Sequence, residues 1–128
     1  MIRIDQTVFE AELDNCLQAC VASIFELPLG EVPNFTEGSA WFTDLALWLD
    51  ENYDLEPVML ALEHDKGVQF FGSGFYIVMG DSARGTVHAC VGKDSRILHD
   101  PHPSRSGVKP QEIITFAAKN PQRLRKNS

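Results

Sequence analysis

The apolar residues of this chain change their period once. Up to Tyr53 they recur at helical spacing, as Leu17, Val21, Ile24 and Phe25 and again as Trp41, Leu45, Trp48 and Leu49. Each set follows the i, i+4, i+7, i+8 pattern of a helix with one face in a core. From Gly74 onward come short runs divided by turn residues: 74–79, 86–91 and 96–100, separated by Gly80–Gly85 and Gly92–Ser95. Helices followed by strands joined through tight turns predict an α+β fold, with helices packed on an antiparallel sheet.

In chain order, residues 2–4 alternate like a short strand, and 7–14 read as a loop. A first helix is expected over 15–26, capped by Asp14 or Asn15. Residues 27–33 break it and make one further helical turn before Pro33. A second helix is expected over 39–53, with Ser39 as its cap and its aromatic stripe in the core. The run 55–62 is β-like, and Pro57 places it at a sheet edge or a strand start. Residues 63–67 read as a loop. The continuous apolar run 74–79 is that of a central strand covered on both faces. Three prolines make 101–110 a loop, 112–118 forms a last strand or short helix, and 119–128 is a flexible basic tail. Residues 1–118 form a single domain, of a size that buries an ordinary core.

Charge and cysteine usage narrow the function classes. The net charge is −7, from 11 basic and 18 acidic residues, which argues against nucleic acid as a partner, because phosphate binding needs a basic surface. No apolar run approaches the ~20 residues that span a bilayer, and the N-terminus lacks a secretory pattern. A cytoplasmic protein with no membrane partner is expected. Cys16, Cys20 and Cys90 are odd in number and include no C-x-x-C pair, which fits a reducing compartment.

Cys16 stands at the first position of the first helix. There the helix dipole and the unsatisfied backbone N–H groups favour a thiolate, the nucleophilic form. A nucleophile needs a base. On the strand 86–91, His88 and Cys90 point to one face and their neighbours to the other. The tight turn at 92–95 brings Asp100 back near Thr86–His88, where a carboxylate orients an imidazole. Cys20, one turn into the helix, reads as core, and Cys90 as packing beside the site. His99 and His102 with Cys16 suggest zinc, but no helical His-x-x-x-His pair or Cys-x-x-Cys supports it. No metal and no organic cofactor is expected.

The motif Asn15-Cys16-Leu17-Gln18-Ala19-Cys20-Val21-Ala22-Ser23-Ile24 resembles the nucleophile helix of papain-like cysteine peptidases in their compact bacterial form, such as the double-glycine peptidase domains of bacteriocin exporters. His88-Ala89-Cys90-Val91 followed by His99-Asp100-Pro101 is similar to their histidine strand and third member, and Leu27–Pro33 to the segment after their nucleophile helix. The resemblance implies a papain-like fold with Cys16 as nucleophile, His88 as general base and acid, and Asp100 as the orienting residue. It also implies an oxyanion hole made by Gln6 and the Cys16 backbone N–H. Leu17 departs from the pattern, since many relatives carry glycine there. The function so implied is a thiol hydrolase, a peptidase or amidase working through a thioester on a peptide or protein substrate presented as an extended tail. A catalytically inactive papain-like binding module and a transglutaminase- or deamidase-type acyl transferase are the alternatives.

Overall fold

The computed structural model describes residues 1–9, 14–62 and 74–119. Two helices, α1 (Cys16–Phe25) and α2 (Trp41–Tyr53), precede all the strands. Five strands follow: β1 (Leu55–Ala61), β2 (Phe75–Ser82), β3 (Val87–Lys93), β4 (Arg96–His99) and β5 (Val108–Ala118). They form one antiparallel sheet in the order β1-β5-β2-β3-β4. The α+β expectation is therefore met. The loop expected at 63–67 and the tail beyond Lys119 lie outside the described residues.

Both helices cover one face of the sheet. Leu17, Cys20 and Val21 of α1 and Leu45 and Leu49 of α2 bury against Ile77, Ala89, Val91 and Ile114. Each such aliphatic side chain contributes about 1.5–3 kcal/mol by leaving water. The opposite face carries a smaller cluster of Tyr76, Val78, Cys90 and Ile113, flanked by Leu62, Ile97 and Val108. With neighbours on either side and apolar layers above and below, β2 is the central strand that its unbroken apolar run demands. Pro57 lies in β1, at the edge of the sheet.

The segment left open between strand and helix is β5, which begins at Val108 inside the expected loop and inserts between β1 and β2. Adjacent Ile113 and Ile114 serve opposite faces of the sheet. Pro110 lacks an N–H for the ladder and falls where the β2–β5 register shifts, opposite Gly80. A Cβ on Gly80 would land on the Lys109 carbonyl.

Residues 2–4 do not join the sheet. They lie against the end of α1, where the Ile2 N–H donates to Ser23 O (3.0 Å) and the Ile4 N–H to Ser23 Oγ (3.0 Å). Three alternating residues are too few to compete with these partners. Farther along, Thr7 and Val8 donate to Asn15 Oδ1, both at 2.9 Å. His99 Nε2 meets Ile4 O at 2.9 Å, and the Gln6 N–H reaches Pro101 O at 3.1 Å. The N-terminal segment thus ties both ends of α1 to the end of β4.

Candidate active site

Cys16 opens α1, whose first turn meets β3 near Ala89. Asn15 is the residue before the helix, but its side chain serves Thr7, Val8 and Gln18 and gives the helix no cap. Asp14 Oδ1 instead accepts the Cys16 N–H at 3.4 Å. The Thr36 hydroxyl holds this turn by donating to the Asp14 carbonyl (2.9 Å). Ser39 does not cap α2 either, since the helix starts at Trp41 after Ala40 without a side-chain cap.

His88 and Asp100 come together as expected, by a different register. A bulge between Val91 and Gly92 pairs Val91 with His99. Asp100 therefore follows alongside Cys90, not opposite Thr86–His88, and its side chain reaches back along the strand. His88 Nε2 and Asp100 Oδ1 lie 2.7 Å apart, both side chains being buried. Asp100 also accepts the His102 N–H at Oδ1 (2.9 Å) and the Gly107 N–H at Oδ2 (2.7 Å). Burial opposes its charge, but the His88 ring and these two donors outweigh burial and hold its carboxyl well below the usual range. Arg105 donates to the Asp100 carbonyl and clamps Asp5 with both guanidinium nitrogens, so the loop carrying Asp100 is fixed at its surface.

Donor atoms of Asp14, Cys16 and His88 all lie within 4.8 Å of one another. With Nε2 taken by Asp100, the other edge of the imidazole is left for the thiol. Cys16, His88 and Asp14 line a cleft of about 210 Å³, walled by Leu17, Trp41, Met79 and Val87. Trp41, expected in the core, borders this cleft as well as the core. Val87 stands exposed at its lip.

The thiol is not the ready thiolate that a helix start suggests. Burial, with Cys16 only 6% exposed, and then the neighbouring Asp14 carboxylate push it up to about 12. Backbone groups of Ala89 and Leu17 act the other way but weigh less. The helix dipole acts on a sulfur that has lost its water and gained a negative neighbour. Burial likewise raises Cys20 and Cys90, and Cys90 rests against the Asp100 carboxylate.

Gln6 is buried, and one N–H of its Nε2 donates to Val8 O at 2.9 Å, which leaves the second amide hydrogen for another acceptor. Its Oε1 has no hydrogen-bond partner among the described residues. The Cys16 N–H faces Asp14. His99 and His102 are loop hydrogen-bond partners: His99 of Ile4 O, His102 of Ser104. Neither joins Cys16 in a ligand cluster among the described residues. The groups with mixed donors are Asp14-Cys16-His88 and His88-Cys90-Asp100. Zn²⁺ accepts such O, S and N donors, and an ion there would take His88 out of proton transfer. Asp14 is the residue that sequence reasoning missed, because a cap and a cleft wall share one position just before a helix. Compared with known proteins, the chain matches no family model, no curated protein and no solved structure.

Proposed function

We propose that this chain is a thiol hydrolase of papain-like type, a peptidase or amidase acting on a peptide-like substrate. The reading is supported above all by the buried His88–Asp100 pair at 2.7 Å, with the Cys16 sulfur within 4.8 Å of the imidazole at the floor of an open cleft. In this mechanism the Cys16 thiol gives its proton to His88 as the sulfur attacks the substrate carbonyl. In this reading backbone N–H groups at the start of α1, which have no carbonyl one turn back, and the second amide hydrogen of Gln6 serve the developing oxyanion. Collapse of the tetrahedral intermediate leaves a thioester on Cys16 and expels the amine, which takes the proton from His88. Water, deprotonated by His88, then releases the acid. Asp100 holds the ring orientation and stabilises the imidazolium.

A second reading, a recognition module of the same fold without turnover, is favoured by the elevated thiol and the Asp14 carboxylate beside it. One measurement separates the two: the rate of iodoacetamide alkylation at Cys16 against pH, in wild type and in His88→Ala, with the label located by peptide mapping. A thiol at about 12 without a base is nearly inert at neutral pH. Reaction near pH 7 that falls by about 10²-fold in His88→Ala is the expected result, the size of a general-base contribution. A Cys16 equally slow in both proteins would leave a binding module.

A further inference from the structure

The cleft holds one group that the triad does not use. Asp14 places a carboxylate oxygen within 4.8 Å of both the Cys16 sulfur and the His88 ring. Among the described lining residues it alone carries a fixed charge, and it has no ion pair among the described residues. Leu17, Met79 and the half-buried Trp41 line the same cleft. A carboxylate in a small, otherwise apolar cleft that an aromatic side chain also lines is complementary to an organic cation. The chain's net charge of −7 attracts the same class of ligand from a distance.

We propose, resting on the thiol-hydrolase reading, that Asp14 is the specificity-determining group of this cleft and selects substrates carrying an ammonium or guanidinium group close to the bond that Cys16 attacks. The arrangement also couples recognition to reactivity. The same carboxylate disfavours negative charge on the sulfur. A cation paired with Asp14 cancels that effect, so a matching substrate eases its own attack, whereas an anionic one meets Asp14 and the developing thiolate together.

Three methanethiosulfonate reagents test this on the full chain: 2-aminoethyl (cationic), methyl (neutral) and 2-sulfonatoethyl (anionic). In each, the Cys16 sulfur forms a disulfide with the reagent's divalent sulfur, the proton passes to His88, and methanesulfinate leaves with the bonding pair. The aminoethyl ammonium lies two methylenes from the reacting sulfur, within reach of Asp14. Wild type is expected to react with the cationic reagent faster than with the anionic one by about tenfold or more, as charges near 5 Å in a partly wet cleft require. Asp14→Asn keeps an acceptor oxygen for the Cys16 N–H and is expected to remove most of that ratio. Glu56→Gln, an exposed change of the same charge on edge strand β1, is expected to preserve it.

Neutral-reagent labelling that depends on His88, together with a charge ratio unchanged by Asp14→Asn, would make Asp14 a helix-start acceptor only and leave the hydrolase reading standing. A Cys16 inert to all three reagents would overturn both readings.

Discussion

Asp100 carries more of this site than any other single side chain. Its two oxygens serve the His88 ring, the His102 N–H and the Gly107 N–H, while its own carbonyl is held by Arg105. Removing the carboxylate leaves the buried imidazole and both backbone donors without an acceptor. Asp100→Ala is therefore expected to cost about 3 kcal/mol or more of stability, read as a lowered urea midpoint with an unchanged m-value. Asp100→Asn retains one acceptor oxygen and should cost clearly less. Equal costs for the two variants would mean that the charge and not the hydrogen bonding is what matters. The residue types were legible at once, since a histidine on an apolar strand and an aspartate at a strand end invite pairing. The state of Cys16 was not. A helix start predicts a lowered thiol, but burial and the Asp14 carboxylate decide otherwise, and both depend on what packs around the sulfur.

At the scale of the elements, the β3–β4 turn was readable because glycine, aspartate and serine between apolar runs leave few alternatives. Its register was not, because the bulge at Val91/Gly92 answers to packing beyond the turn. The same holds for β5, whose Pro110 and the charged Lys109 and Glu112 mask a strand that sits second from the edge. Its irregular crossing of β2 depends on Gly80, which lies opposite Pro110 on one side and His88 on the other. Gly80→Ala forces a methyl into the Lys109 carbonyl. A loss of about 2 kcal/mol or more in unfolding free energy is expected, with the His88 strand displaced. A variant as stable as wild type, with Cys16 alkylation unaltered, would mean that β5 shifts away freely at this point.

For the molecule as a whole, buried titratable groups set a stability window. The Asp100 carboxyl is lowered in the folded state, so its contribution is present above its ordinary value of 3.8 and is lost as pH falls below it. The thiols of Cys16, Cys20 and Cys90 are raised above 9.0. Their contribution is complete below the unfolded-state value and is lost as pH rises from there toward about 12, because the unfolded chain releases those protons first. Urea midpoints measured from pH 3 to 11 should therefore fall at both ends. The alkaline fall should shrink in Cys20→Ala relative to its own neutral value, and an unchanged slope would exclude buried thiols as its cause.

The two helices, strands β1 to β4 and the gathering of Cys16, His88 and Asp100 were legible in the sequence, while Pro57 left a sheet edge and a strand start both open and 112–118 stayed undecided between strand and helix. The legible parts rest on periodicity, turn chemistry and chain order, which are local properties. Chain closure settled that residues 2–8 tie α1 to β4, that Gln6 donates one amide hydrogen to Val8, that β5 enters the sheet between β1 and β2, and that Asp14 lies beside the thiol. Each of those depends on which distant groups compete for the same donor, the same buried volume or the same charge, and that competition exists only once the chain has closed on itself.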